Sequence, residues 1–319
     1  MKIVDMHCDT ISRIYKHPGS ALLKNNFQLD LQKMKSAGYL LQNFAMFINL
    51  DETDSPYDTC KKQIAIFQRE MEENRDLIRP VTTYEEIVEN EKQGKMSALM
   101  TIEEGQVCKG DLKILKEFYD AGARMMTFTW NHKNTLGFPA EPAHGTEKGG
   151  LTHLGIAFLD AMEQLGIIPD VSHLSDRGIM DVCQLAKKPF VASHSNARTL
   201  CGRGRNLPDE LIQKISQKGG VIGANFYGPF LTPVPDDTGC YYSYVKDIAK
   251  HIRHMVNVGG ISCVGLGSDF DGIDNNIEMK NCSHIEMLEA ELRKNGFHES
   301  EIERIFYKNV LDLYKELLV

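Results

Sequence analysis

Short apolar runs alternate along the chain with longer stretches whose apolar residues recur at helical spacing. Short runs of this kind read as buried strands and the longer stretches as crossover helices, so βα units on a parallel sheet are predicted. Candidate strands are 2–7, 40–48, 97–102, 123–129, 167–172, 189–193, 220–226 and 263–268. Candidate helices between them are 60–75, 111–121, 152–165, 176–186, 209–218, 241–257 and 284–294. In one of them Leu112, Leu115, Phe118 and Tyr119 form a single apolar stripe, as a helix facing a core requires. Asp111, Thr152, Ser175 and Ser283 stand where N-caps belong, because their short side chains can accept from the free first-turn amides. Eight strands alternating with helices fit an α/β chain closed as a (β/α)8 TIM barrel. The stretch 299–318 is amphipathic and predicted helical, either completing the outer ring or packing across the barrel. Residues 130–150 lack periodicity and are rich in Gly, Pro and His; they read as a long loop over the barrel mouth.

No linker, repeat or low-complexity tract divides the 319 residues, so one domain spanning 1–319 is expected. The net charge of −8 and the lack of any basic cluster longer than two residues argue against a nucleic-acid partner. The N-terminal residues Met1 to His7 show no charged segment followed by an apolar one, and no apolar run nears membrane-spanning length. A soluble cytoplasmic chain with no membrane partner is therefore the expectation. The eight cysteines are scattered without a C-x-x-C pair, which favours reduced thiols over a disulfide framework.

Candidate chemistry sits where candidate strands end. The first ends in Asp5-Met6-His7-Cys8-Asp9 and the third in Ile102-Glu103-Glu104-Gly105. The fifth and sixth end in Asp170-Val171-Ser172-His173 and Ser193-His194-Ser195, and the last in Ser268-Asp269-Phe270-Asp271-Gly272. In a parallel barrel all these ends share one rim, where active sites are built. His7 and Asp9, two apart on extended chain, point to the same side and could bind one cation. Taken alone, the same string also reads as a packed histidine and a helix-capping aspartate. Glu103 could bridge two cations about 3.5–4 Å apart, or serve as a helix N-terminal carboxylate. His173 and His194 end consecutive strands, and neutral imidazoles suit zinc. Asp269 can take a proton from water and hold an amine. Asp271 competes for that role, although an aspartate before Gly272 also suits a turn. His251 and His254, three apart on a candidate helix, read as a solvated face.

These strings, in this order, resemble the renal (membrane) dipeptidase family, the zinc dipeptidases among the metal-dependent amidohydrolase-like barrels. The resemblance runs nearly end to end and includes D-x-H-x-D at 5–9, the glutamate at 103 and L-G-I-I-P-D-V-S-H at 165–173. It continues with S-H-S-N-A at 193–197, R-N-L-P-D at 205–209, N-F-Y at 225–227 and G-L-G-S-D-F-D-G at 265–272. It implies two zinc ions per chain, with His7 and Asp9 on the first, Glu103 bridging, and His173 and His194 on the second. It implies hydrolysis of dipeptides by a hydroxide between the metals, in some cases with a D-residue at the C-terminal position. Arg205 would bind the substrate carboxylate, Tyr227 would touch the substrate, and Asp269 would handle the amino group and the proton. Family members are typically homodimeric. Two departures stand out. The mammalian branch has Glu-Gly-Gly where this chain has Glu103-Glu104-Gly105. The family's substrate-polarising histidine follows a T-x-T string, but Thr127-Phe128-Thr129 is followed here by Trp130, with His132 two residues further on. His132 is the remaining candidate for that catalytic role. The competing readings are another binuclear-metal barrel amidohydrolase, acting on N-acyl amino acids or cyclic amides, and a barrel that binds without catalysing.

Overall fold

Eight parallel strands close on themselves in the computed structural model, which describes residues 1–146, 148–274 and 276–319. In chain order the strands are β1 (Ile3–Asp5), β2 (Tyr39–Phe47), β3 (Ile78–Val81), β4 (Met96–Glu103) and β5 (Met125–Thr127). They continue with β6 (Ile168–Asp170), β7 (Val191–Ala192), β8 (Val221–Ala224) and β9 (Val264–Leu266). The ladder runs β2-β1-β9-β8-β7-β6-β5-β4 and is closed by β4 pairing with β2. This is the (β/α)8 barrel expected from the sequence, and each of the eight expected strands overlaps an observed one.

β3 is an addition. It pairs with Met96–Leu99 of β4, along the edge that β5 occupies further up at Thr101 and Ile102. Its apolar run is interrupted by Arg79 and Pro80, of which Pro80 is exposed, so alternation gives no signal there. The following helix Tyr84–Lys92 buries only Ile87 and Asn90 and is held by a capping box between Thr83 and Glu86. Two seven-residue helices, Thr10–Lys16 and Leu31–Ala37, are likewise too short to declare a stripe. Of the expected caps, Asp111, Thr152 and Ser175 accept from Lys113 N, Gly155 N and Gly178 N. Ser283 does not cap its helix. It lies inside a tight turn capped by Asn281, and the helix begins at Glu286.

Apolar packing falls into two compartments. The larger lies between the strands and the outer helices, where Phe44, Phe67, Phe118 and Phe158 are fully buried. The smaller fills the lower barrel, where Val4, Leu41, Leu99, Met125, Ile168, Val191 and Val221 meet Val310, Leu313, Tyr314 and Leu317. Those last four belong to the helix Asn309–Leu317, so the C-terminal segment packs across the barrel floor. Its polar contacts are satisfied: Asn309 Nδ2 donates to Val264 O at 2.8 Å, Asn43 Nδ2 donates to Tyr314 Oη at 2.7 Å, and that hydroxyl lies 3.1 Å from Asn43 Oδ1. With the floor sealed by side chains, the barrel opens only at the C-terminal ends of its strands.

Candidate metal centre at the barrel mouth

Five residues far apart in sequence meet at that open end. Glu103, at the tip of β4, points its two oxygens in different directions. Oε2 lies 3.2 Å from His7 Nε2, while Oε1 lies 3.1 Å from His173 Nε2 and 3.6 Å from His194 Nε2. His7 Nε2 is also 3.6 Å from Asp9 Oδ2 and 3.8 Å from Asp269 Oδ1. The two histidine Nε2 atoms of the other side face each other at 2.9 Å. His7, Asp9, Glu103, His173 and His194 are all buried, and Asp269 is partly so.

The imidazoles are aimed by their second nitrogens. His173 Nδ1 meets Asn131 Oδ1 at 2.9 Å, and His194 Nδ1 meets Ser193 Oγ at 2.9 Å. Ser193 Oγ in turn lies 2.5 Å from Asp170 Oδ2. Beside His7 a second Ser–Asp pair holds the backbone rather than the ring: Asp5 accepts from Ser268 N and Ser268 Oγ at 2.9 and 2.6 Å and from His7 N at 3.3 Å. Hydrogen bonds to the second ring nitrogen set the orientation and tautomer of metal-binding histidines. The sequence reading missed Asp5, Asp170, Ser193 and Ser268 in these roles. The signal available was an aspartate two residues before His7 and three before His173, and a serine directly before His194.

Backbone strain collects at the same rim. Among the described residues, five other than glycine have positive φ, and four of them are Glu104, His173, Asp269 and Asp271. Conformations of this kind cost about 1–3 kcal/mol each and cluster at functional sites. Glu104 at φ 114° occupies a conformation suited to glycine. It is held there because its carboxylate accepts from Gln106 N and Trp130 N at 2.8 and 3.0 Å and from Asn134 Nδ2. Its extra charge is therefore used to fix the loop after β5. The pair Asp269 and Asp271 is also separated by geometry. Asp271 accepts from Thr10 Oγ1 at 2.6 Å and Gln28 N at 2.7 Å, whereas Asp269 faces His7 and accepts from Asn225 Nδ2 at 2.9 Å. Gly272 must stay bare, since a Cβ there would stand 2.0 Å from Asp9 Oδ2 and 2.6 Å from Asp269 Oδ1.

Arg205 is 4% exposed, with Nη2 3.3 Å from His194 O. Burial weakens its charge, and the carboxylates of Asp269 and Glu103 restore part of it. Its Nε has no partner. Tyr227 is half-buried, packs edge-on against Phe230 at 4.9 Å, and feels the charges of Asp274 and Asp269. His132 is placed elsewhere. Its Nε2 lies 3.1 Å from Asp51 Oδ2 and its ring neighbours His144 and Trp130. Trp130 stands between Phe47 and His173, with ring centroids 4.9 and 6.1 Å away. His251 is a correction: it is buried, accepts from Ala197 N at 3.0 Å and contacts Leu231 O at 3.1 Å. The i, i+3 spacing with His254 hides this, because the helix turns His251 toward the core and His254 toward Asp209.

The donor set fits divalent cations. His7 Nε2 and Asp9 Oδ1 are buried without hydrogen-bond partners, which is costly unless something else satisfies them. Burial, with Arg205 and His7 nearby, holds His173 and His194 well below the usual imidazole range, so both are neutral and free to ligate. Burial opposes protonation of His7, but Glu103 and Asp9 outweigh it and raise that imidazole well above its ordinary value. Burial likewise lifts Asp269 to about 8. A pocket that concentrates carboxylates and imidazoles at this density is electrostatically incomplete by itself. His7, Glu103 and His194 form one group able to hold an ion, and His7, Asp9 and Asp269 form another.

A closed parallel barrel with such a cluster at its mouth defines a metal-dependent hydrolase of the barrel type. The model of the membrane dipeptidase family, peptidase family M19, matches residues 1–317, and the chain belongs to that family. It is a peptide hydrolase of the metallo-dipeptidase kind. A Klebsiella pneumoniae protein described as an uncharacterized protein in the pqqA 5' region is 30% identical over 268 residues, covering 82% of this chain and 97% of its own length. An uncharacterized dipeptidase of Schizosaccharomyces pombe is 29% identical and covers 99% of this chain and 80% of its own. Among solved structures, a metallo peptidase of Rhodobacter sphaeroides liganded with a phosphinate mimic of L-Ala-D-Ala superposes with a TM-score of 0.89 at 23% identity, covering 99% of both chains. The probable dipeptidase PvdM of Pseudomonas aeruginosa gives a TM-score of 0.85 at 22% identity, covering 93% and 90%. At those identities the structural likeness speaks for the fold. No helix among the described residues is long and apolar enough to cross a membrane.

Proposed function

We propose that the chain hydrolyses dipeptides with two zinc ions held at the barrel mouth, His7 and Asp9 on one, His173 and His194 on the other, and Glu103 between them. The observation that carries this reading is the split reach of Glu103, one oxygen toward His7 and the other toward His173 and His194. When bound, such cations polarise a carbonyl oxygen and bring the pKa of water from 15.7 to about 7, which makes a nucleophile available at neutral pH.

The chain's own residues do the rest. Asp269, held by Asn225 and facing His7, is placed to accept a proton from the attacking water and return it to the leaving amine, provided that cation charge beside it offsets the burial that lifts its carboxyl to about 8. Positioned acid–base work of this kind is worth about 10²–10⁴ in rate. Arg205 lies close enough to feel Glu103 and Asp269, and its Nε awaits a partner. A planar guanidinium binds a carboxylate through two parallel hydrogen bonds. A substrate whose carboxylate lies one residue beyond the scissile bond satisfies it; a longer peptide presents a neutral amide there instead. Tyr227 would contact the substrate from the same side, since it and Arg205 both pack on Phe230. A carboxylate grip reads the end of the chain and not the configuration of the last residue, which leaves room for a C-terminal D-residue.

The test is hydrolysis of Gly-D-Ala, L-Ala-D-Ala, L-Ala-L-Ala and a tripeptide by the zinc-loaded protein. Dipeptides are expected to be cleaved and the tripeptide spared. Arg205→Met is expected to raise KM for dipeptides about 10- to 100-fold, equivalent to about 1.4–2.8 kcal/mol. Equal cleavage of the tripeptide, or unchanged KM in the variant, would turn the reading toward a general barrel amidohydrolase.

A further inference from the structure

We infer that Asp51, His132 and His144 form an additional site for a borderline divalent cation such as Zn²⁺, separate from the barrel-mouth cluster and built to fasten the loop after β5 onto the turn after β2. The three side chains each offer one atom, all lying within 4.8 Å of one another. His132 Nε2 is 3.1 Å from Asp51 Oδ2, and His144 Nε2 is 3.0 Å from both Asp51 oxygens. Donor atoms around a tetrahedral zinc with bonds of about 2.0–2.1 Å stand about 3.3 Å apart, so these spacings already approximate an edge of that polyhedron.

A simple ion pair between an aspartate and two imidazoles would leave no puzzle, but His132 does. It is 7% exposed, its Nδ1 has no hydrogen-bond partner, and its Nε2, though 3.1 Å from Asp51 Oδ2, is not aligned to hydrogen-bond it. A buried imidazole in that condition forfeits about 1–3 kcal/mol, and a cation shared with Asp51 and His144 removes the deficit. The chemistry of the donors selects the ion. Two imidazoles and one carboxylate favour Zn²⁺, and also Co²⁺, Ni²⁺ and Cu²⁺, over Mg²⁺ or Ca²⁺, which prefer all-oxygen shells. The Asp51 carboxyl is ionised at neutral pH, because His144 and His132 hold it below the usual carboxylate range. Three protein ligands leave the fourth position to water or to an incoming group.

The placement gives the site a use. Asp51 sits in the turn Leu50–Glu52 that follows β2, whereas His132 and His144 sit on the segment that follows β5. An ion joining them ties two rim segments that are distant in sequence. Immediately before its two histidines the loop is pinned back on itself, Ala143 N donating to Asn131 O at 2.6 Å. Asn131 is also the residue that aims His173. Occupancy of the rim site therefore steadies a residue that orients a barrel-mouth imidazole.

The experiment is a zinc count and competition titration against a chromophoric chelator, on the wild-type protein and on His144→Ala and Asp51→Asn. His144 is 72% exposed and Asp51 50% exposed in their side chains, so neither change threatens the core. Each variant is expected to bind one zinc equivalent fewer, or to hold that equivalent about tenfold or more weakly, with the remaining equivalents unaltered. Trypsin cleavage within residues 131–146 should be slowed by Zn²⁺ in the wild type and not in the variants. His194→Ala separates the two sites: it should lose ions from the mouth and keep the rim one. Identical zinc counts and affinities in wild type, His144→Ala and Asp51→Asn would overturn the inference.

Discussion

The two ends of the barrel are made from the same eight strands and have opposite character. At the floor, apolar side chains from the strand starts interlock with the helix Asn309–Leu317, and the polar pair Asn43 with Tyr314 satisfies itself. At the mouth, buried carboxylates and imidazoles crowd together, His7 Nε2 and Asp9 Oδ1 lack partners, and the backbone is strained at Glu104, His173, Asp269 and Asp271. One end is optimised for being folded. The other holds charge that the folded chain alone does not neutralise, and it can do so because the floor is sound. The division explains where substitutions should affect rate and where they should affect stability.

The largest expected effect is at the mouth. Glu103→Gln keeps the shape of the side chain and removes the charge between the two ligand pairs. It is expected to lower kcat by about 10³-fold while leaving the thermal midpoint unchanged or higher, since burial already disfavours the ionised carboxylate. Peptidase assays beside differential scanning calorimetry read both numbers. At the floor the pattern inverts. Leu313→Ala, which empties a buried position beneath the strands, should cost about 2–4 kcal/mol of stability with kcat preserved in the folded fraction, as urea titration and assay at low temperature would show.

A pH experiment sharpens the contrast. Burial pushes His251 down to about 4, and its ring supports Ala197 in the loop after β7. The unfolded chain takes up that proton first, near the ordinary histidine value of about 6.5. The stability His251 contributes is therefore present above about 6.5 and lost as pH falls toward about 4, amounting to as much as about 3 kcal/mol. Urea midpoints at pH 7.5 and 5 should diverge more for wild type than for His251→Gln; equal divergence would assign the pH dependence to other groups. The smallest effect is again at the floor, where Tyr314→Phe strands the Asn43 amide and should cost about 1–2 kcal/mol with no change in KM.

Legibility in the sequence followed the same division. Strand runs such as Ala98 to Ile102 are continuous and apolar, so the barrel and its rim could be read directly, and the five rim residues with them. β3 escaped because Arg79 and Pro80 break its run, and the helix Tyr84–Lys92 because its glutamates leave no stripe. The supporting residues Asp5, Asp170, Ser193 and Ser268 escaped for a different reason. Each acts across a strand boundary, and only the ladder β1–β9 and β6–β7 shows which serine faces which aspartate. His132 was read from its distance to a T-x-T string, whereas a loop residue goes where the loop folds, here to Asp51.

The proposed chemistry needs two cations flanking Glu103, and zinc-edge anomalous diffraction from crystals of the zinc-loaded protein measures that directly. Two peaks are predicted, one between His7 and Asp9 and one between His173 and His194, each within bonding distance of a Glu103 oxygen. A map with no peak beside Glu103, or with Glu103 touching neither ion, would contradict it.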